Sequence, residues 1–477
     1  MPFAICPSPL PVSRPSSGDS KTANNHAKGP SISTLSTNAE SVPADVPAGT
    51  VIPPSDARAS RAARVRARLG AIAFSHGVVD FFSALVIPLL SVLEEQASMT
   101  PAQGAALVAA GSLASGIIQP VVALIGDKRD TRSLGTIGLM VAALAIGLIG
   151  FADSFWKLLI LQVLGAAGIG AFHPPAAAVM GHLSGRRRSM GVSIFFAAGI
   201  LGGAAGAFTA PIWAEVLGIK SFLVGLVPAS LTAVLLAWAT HDSAHRHAHA
   251  AHSHHALPEQ ERAARWAAVW VLYASNALRF IVNMAMVQVL VRWSEIHVLG
   301  KHGIGGVTAS TLPDLLTTEL RHDASRVNGP LQAAMAIGMG VFGLLIGGLV
   351  PASRSRLAMI VTPCVGSLAV LAMPASPSFG VGFTLCVLVG GAYAGTIPLS
   401  IAAAQRLLPH RTTLASGLMM GGAWSLALVG PPLAQWIFGL TSSLTTTAAI
   451  FAAVLFVSGV MVAFIPRRLV DQGEHGL

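Results

Sequence analysis

Charge is what this sequence has least of. Only 10% of its 477 residues are Asp, Glu, Lys or Arg, against about a quarter in soluble proteins. A single water-soluble domain is therefore excluded. Cysteine is scarce as well. Cys6, Cys364 and Cys386 are the three present, and their spacing fits neither a zinc site nor a disulfide framework. Acidic residues number 20 against 30 Lys and Arg, for a formal charge of +10. The basic residues sit between oily runs rather than on one polar face, so nucleic acid is not an expected partner. No soluble-enzyme motif and no cofactor signature stands out, so an enzyme is not expected.

What is abundant is apolar. Hydrophobic residues make up 53% of the chain, and 49 glycines accompany them. Glycine at that density suits close helix packing in lipid. Twelve apolar runs approach the length of about 20 residues that a helix needs to cross a bilayer. They cover residues 69–93, 102–125, 133–151, 157–182, 189–213, 219–239, 266–291, 329–350, 357–374, 379–405, 413–437 and 444–465. The expected fold is an all-α membrane protein with twelve transmembrane helices in two six-helix bundles.

The remaining segments set the organisation. Residues 1 to about 60 are rich in Pro, Ser, Ala, Asn and Thr and read as disordered. They lack the continuous apolar core of a signal peptide. The basic run RASRAARVRARLG closes this segment at 58–70. The expected units are a disordered segment 1–68, a first bundle 69–240, a linker 241–265, a second bundle 266–466 and a tail 467–477. The linker carries seven histidines within 241–255. Imidazoles bind Zn²⁺, Cu²⁺ and Ni²⁺, so a divalent metal exporter that collects ions there stands as an alternative. A non-transporting membrane sensor is a second alternative.

Arginines and lysines alternate between loops. The N-terminal run, Lys128, Arg129 and Arg132, Arg186 to Arg188, Arg354 and Arg356, and Arg467 and Arg468 fall on one side. By the positive-inside rule both termini are cytoplasmic, in a bacterial inner membrane. A 37-residue outer loop, 292–328, is the exception, with Arg292, Lys301, Arg321 and Arg326. Trp156, Trp213, Trp266, Trp293 and Trp436 lie near predicted helix ends, as interfacial aromatics do. Residues 165–188 and 390–413 share Gly165/Gly390, Gly170/Gly395, Leu183/Leu408 and Arg186/Arg411 at a shift of 225. Duplicated six-helix halves around a midplane site are the layout of many secondary transporters.

Ionisable residues inside oil mark candidate function. Among the acids only Asp80 lies deep in a predicted span, and among the bases only Arg279. His76 and Asp80 are four residues apart and share a helix face, with Ser83 continuing it. Histidine titrates near neutral pH, so the pair is a candidate proton carrier. The alternative is a polar lock between helices. In the fourth span, His173 precedes Pro174 and Pro175, which remove backbone donors. This suggests either a broken helix beside a cavity or a simple kink. In the seventh span Asn276, Arg279 and Asn283 form a polar stripe. Arg279, Asn276, Asn283, His173 and Gln119 are expected to line the substrate path, with Arg279 holding an anionic substrate or serving as counter-ion to Asp80. Gln119 and Gln288 add hydrogen-bonding groups. Glycines 199, 202, 203 and 206, with 417, 421 and 422, suggest a tightly packed interface between rocking halves.

These motifs resemble the major facilitator superfamily and, more closely, the fosmidomycin resistance protein family of bacterial drug exporters. The similar stretches are SHGVVD (75–80), LASGIIQPVVALIGDK (113–128), GAFHP (170–174), the glycines after SIF (193–195), and LLPHR with SGL (407–418). The resemblance implies twelve helices, a central cavity and proton-driven export of small drug-like or anionic compounds. It implies that Asp127 and Arg132, in GDKRDTR, gate between helices. The chain departs from the family at Pro175, where an acidic residue is usual, and at Ala178 and Ala207. The expected partners are a small-molecule substrate, protons and the lipid bilayer. A monomer is expected, with no cofactor and no metal at the substrate site.

Overall fold

The computed structural model describes residues 55–126, 131–184, 188–241, 259–408 and 411–471. Among them every regular element is helical. Twelve spans are long and apolar enough to cross a membrane: α1 (Ser60–Gln96), α2 (Pro101–Ile125), α3 (Arg132–Phe151), α4 (Phe155–Leu183), α5 (Ser193–Leu217), α6 (Ile219–Thr240), α7 (Glu259–Lys301), α8 (Thr318–Leu349), α9 (Ala352–Ala375), α10 (Phe379–Leu407), α11 (Leu418–Thr441) and α12 (Leu444–Val462). The repeated segments at 165–188 and 390–413 begin in α4 and α10, the fourth span of each half. Large apolar side chains face outward around the helices, Leu164, Leu201, Leu231, Leu349 and Leu368 among them. In water they would expose oil; in a bilayer they meet lipid.

Two segment boundaries differ from the sequence-based expectation. Helix begins at Ser55, so the last part of the expected disordered segment 1–68 is helical. Residues 1–54 and the linker histidines beyond His241 lie outside the described residues, as do 472–477. The expected outer loop 292–328 is mostly helix. The seventh helix runs from Glu259 to Lys301 without interruption, and the eighth starts at Thr318, capped by the Thr317 hydroxyl. In the sequence, charged residues end the apolar run at this point. Arg292 and Glu295 are compensated by each other inside the protein, so the helix does not need to stop. Trp293 is consequently buried at 5% exposure. It donates to the Pro374 carbonyl at 3.2 Å.

Span α1 is bent where the sequence places Pro88. The α-helix ends at Ser83, a short 3-10 turn covers Ile87–Leu89, and helix resumes at Leu90–Gln96. Carbonyls around the interruption also accept from side chains of α8: Ser325 Oγ donates to Pro88 O at 2.9 Å, and Asn328 Nδ2 donates at 3.3 Å to Ile87 O, which already accepts from the Leu90 N–H. The bend thus becomes an attachment between the halves. By contrast, α4 is continuous through Pro174 and Pro175, so of the two readings left open by the sequence the broken helix is not present.

Glycines set the helix spacing. A Cβ on Gly202 would lie 1.9 Å from the Gly77 carbonyl oxygen, and one on Gly206 would lie 2.3 Å from that of Phe81. These residues seat α5 against α1 within one half, not between halves as expected. Across the halves, Gly421 of α11 lies against Pro120 and Gln119 of α2, and Gly329 of α8 against Ala207 of α5. Overpacking costs about 1–3 kcal/mol, and here the obstacle is backbone, which no rotamer change relieves. Gly202→Ala is therefore expected to lower the thermal unfolding midpoint in detergent. Gly70→Ala, with nothing within 4 Å of the added carbon, should leave it unchanged. Equal midpoints for the two variants would refute the packing role.

Candidate functional site

Three side chains converge where α1, α4 and α5 meet. His76 and Asp80 occupy successive turns of α1, and His173 comes from α4. His76 Nε2 lies 3.3 Å from Asp80 Oδ2, and His173 Nε2 lies 3.5 Å from Asp80 Oδ1. The two Nε2 atoms are 3.1 Å apart. The carboxylate thus offers one oxygen to each ring. His76 is buried at 2% exposure, whereas Asp80 and His173 keep 25% and 21%. The cluster has a buried back and an accessible front.

The outer ring nitrogens fix the tautomers. His76 Nδ1 is 2.7 Å from the Phe195 carbonyl, and His173 Nδ1 is 2.7 Å from that of Ile169. A carbonyl oxygen only accepts, so each Nδ1 carries the hydrogen. In the neutral rings, both Nε2 atoms then present lone pairs to each other and to the carboxylate. Facing acceptors repel unless something electrophilic sits among them. His76 is held for this arrangement by stacking on Phe195, with centroids 3.8 Å apart and planes 20° apart.

Gly199 of α5 forms the wall behind the cluster. A Cβ there would approach Asp80 Oδ2 and His76 Cε1 to 2.5 Å and His76 Nε2 to 2.6 Å. At Gly203, one turn further on, the nearest atom would be 3.8 Å away. We expect Gly199→Ala to spread the three side chains and to cut the transport that the resemblance implies at least tenfold, with normal membrane insertion. Gly203→Ala should transport like wild type. Uptake into membrane vesicles at matched protein levels checks the pair, and full activity of Gly199→Ala would show that the cluster spacing is unimportant.

The other expected site residues lie elsewhere. Arg279 is 1% exposed. It donates to Ser275 Oγ and the Met359 carbonyl, each at 3.0 Å, and to the Thr396 hydroxyl. Thr396 lies where α10 is interrupted between Ala394 and Ile397. Arg279 is therefore not the counter-ion of Asp80. Among the described residues, Asp80 forms ion pairs with His76 and His173 alone. Asn276 donates to Ser400 Oγ at 2.8 Å, and its Oδ1 and that of Asn283 are buried without a partner. The polar stripe on α7 thus packs largely inside the second half. Gln119 Nε2 is 3.4 Å from Ser115 Oγ in its own helix. Arg132 donates to the Thr240 carbonyl at 3.2 Å and to that of His241, tying α3 to the end of α6. Asp127 lies outside the described residues.

A second buried charge cluster was missed. Arg292 of α7 pairs with Glu94 of α1 and makes two bonds to Glu295, at 2.9 and 2.7 Å. Its Nε donates to Gln435 Oε1 at 3.1 Å, which also accepts from Gln288 at 3.0 Å. Arg292, Glu94 and Glu295 are 2%, 3% and 0% exposed. Asp80 is therefore not alone among acids inside the spans, nor Arg279 among bases. The i, i+3 spacing of Arg292 and Glu295 was the available signal. Its partner Glu94 is 198 residues away in sequence and carried none. Nearby, Arg321 donates to Ser91 O at 3.2 Å, Thr318 to Glu95 at 2.5 Å, and Arg326 Nε to Glu215 at 2.5 Å. These contacts join the halves.

Twelve apolar spans define a multi-pass helical membrane protein. Residues 72–426 match the Major Facilitator Superfamily, and the chain belongs to that family. That family is one of membrane transporters rather than enzymes. The chain is 30% identical over 168 residues to the fosmidomycin resistance protein of Escherichia coli (strain K12), a match covering 35% of this chain and 41% of that protein. It is 27% identical over 164 residues to an uncharacterized MFS-type transporter, YfnC, of Bacillus subtilis (strain 168), covering 34% and 39%. Each match spans about two fifths of the relative. Among solved structures, the fold is similar to a bacterial homologue of the human lysosomal transporter Spinster. The inward-facing, occupied form gives a TM-score of 0.56 at 14% identity, covering 84% of this chain and 95% of that one. The inward-facing, unoccupied form gives 0.58 at 14%, covering 87% and 99%.

Proposed function

We propose that this transporter is a proton-coupled antiporter that exports small drug-like or anionic compounds, fosmidomycin among them. The observation that carries the reading is the His76–Asp80–His173 cluster. Its three inward-facing acceptors need an electrophile, and a proton is the simplest one. A carboxylate with two imidazoles holds H⁺ in a span where an uncompensated charge costs several kcal/mol. Accessible Asp80 and His173 exchange it with whichever face is open. Coupling follows if protonated and deprotonated forms favour different states of the halves, since a ligand shifts an equilibrium only by its differential affinity.

Arg279, Asn276, Asn283 and Gln119, together with the exposed edge of His173, are proposed to act in substrate binding when the halves rearrange. The unpartnered buried atoms of Arg279, Asn276 and Asn283 support this role. Asp127 and Arg132 are proposed to gate on the terminal side. Loop charge supports a bacterial inner-membrane location with both termini cytoplasmic. The protein is proposed to act as a monomer. The test uses everted membrane vesicles holding an acid interior reported by a pH-sensitive dye. Adding fosmidomycin should dissipate the gradient with wild type and not with Asp80→Asn. Equal dissipation by both proteins would overturn the proton role.

A further inference from the structure

We infer that His76, Asp80 and His173 also form a binding site for a divalent transition-metal cation of the Zn²⁺ class. The inference rests on the reading above in taking these side chains as the transporter's working centre. It adds a second occupant, and it stands on ligand geometry.

One ligand atom from each residue lies within 4.8 Å of the others. The measured separations are 3.1 Å between nitrogens and 3.3 and 3.5 Å from nitrogen to oxygen. Zinc bonds of about 2.0–2.1 Å in a tetrahedron place neighbouring ligand atoms roughly 3.3 Å apart. The cluster already has that edge length. A proton bridging two of these atoms would draw them closer, toward about 2.7–2.9 Å for a charge-assisted bond.

The surroundings fit as well. Metal-bound histidines characteristically donate their other N–H to a carbonyl or carboxylate, and here Phe195 and Ile169 accept from both Nδ1 atoms at 2.7 Å. The lone pairs that a cation needs are already free. Two nitrogens and a carboxylate suit zinc, nickel or copper, whereas magnesium and calcium prefer all-oxygen shells. Three protein ligands leave a fourth position open on the side where Asp80 and His173 are exposed. That position would accept water or an oxygen of a chelating cargo. Gly199 keeps the opposite wall from intruding.

The seven histidines at 241–255 would bind metal too and mask the site. The test therefore uses the full-length chain with those seven replaced by asparagine, purified in detergent and titrated calorimetrically with ZnCl₂. One saturable ion per chain is expected, with no binding of Mg²⁺ under the same conditions. His173→Asn should weaken Zn²⁺ binding at least about tenfold, the lower end of the loss for even an outer-shell partner. His173→Cys, which restores a ligand, should bind again. Asp80→Asn, close to isosteric, gives the same readout should His173→Asn fail to fold. No stoichiometric Zn²⁺ binding in the linker-substituted protein, or binding unaffected by His173→Asn and Asp80→Asn, overturns the site. The two readings fail separately. Proton coupling lost in Asp80→Asn without any Zn²⁺ binding by the parent overturns the metal site alone. Site-specific Zn²⁺ binding with a fully coupled Asp80→Asn transporter overturns the proton role alone.

Discussion

Asp80→Asn is expected to reduce drug resistance and vesicle transport to the level of cells without the protein, while expression and thermal stability stay at wild-type values. The asymmetry comes from the hydrogen-bond inventory of the site. His76 and His173 present Nε2 lone pairs toward residue 80, because their Nδ1 atoms are committed to Phe195 and Ile169. An asparagine amide donates to such a lone pair and fills the same volume. The helices therefore stay locked together. What disappears is the negative charge that makes the site hold a proton. A purely structural lock would survive this substitution with transport intact, so the variant separates the two roles that the i, i+4 pair suggested. Resistance equal to wild type at equal expression would leave the cluster as a packing device only.

Arg292→Met should have the next largest effect, and on conformation rather than chemistry. The variant leaves Glu94 and Glu295 buried, close together and without their shared cation. Removing one partner of a buried ion pair costs about 3–5 kcal/mol. The Arg292–Glu94 arm of this penalty belongs to the state seen here, because it exists only while α1 and α7 meet. At 1.4 kcal/mol per factor of ten, a difference of about 3 kcal/mol changes the ratio of states roughly a hundredfold. Spin labels at Ala102 of α2 and Gly439 of α11, in a background free of native cysteines, should show a longer distance for Arg292→Met. Glu94→Gln keeps the Arg292–Glu295 pair and should shift the distribution less. Unchanged distances in both variants would mean that this cluster does not hold the halves together. The neighbouring contacts of Arg321, Thr318 and Arg326 keep the closure from depending on one residue.

The sequence by itself determined the twelve spans and the His76–Asp80 pair of α1. Those features are local. Apolar length reflects the thickness of a bilayer, and the four-residue spacing of His76 and Asp80 reflects helix geometry. The pairing of both with His173 was decided by tertiary structure, since His173 lies 97 residues beyond His76 in the chain and only the packing of α4 against α1 brings the rings together. The same holds for Arg279, whose mid-span position was legible but whose partners, Thr396 and Met359, lie 117 and 80 residues away. Arg292, Glu94 and Glu295 show the limit most sharply. Individually each charge argues for the end of a membrane span. Folded together they neutralise one another, and a segment that reads as a loop becomes the continuation of a 43-residue helix. Desolvation cost is a property of a residue's surroundings, and the chain order does not contain those surroundings.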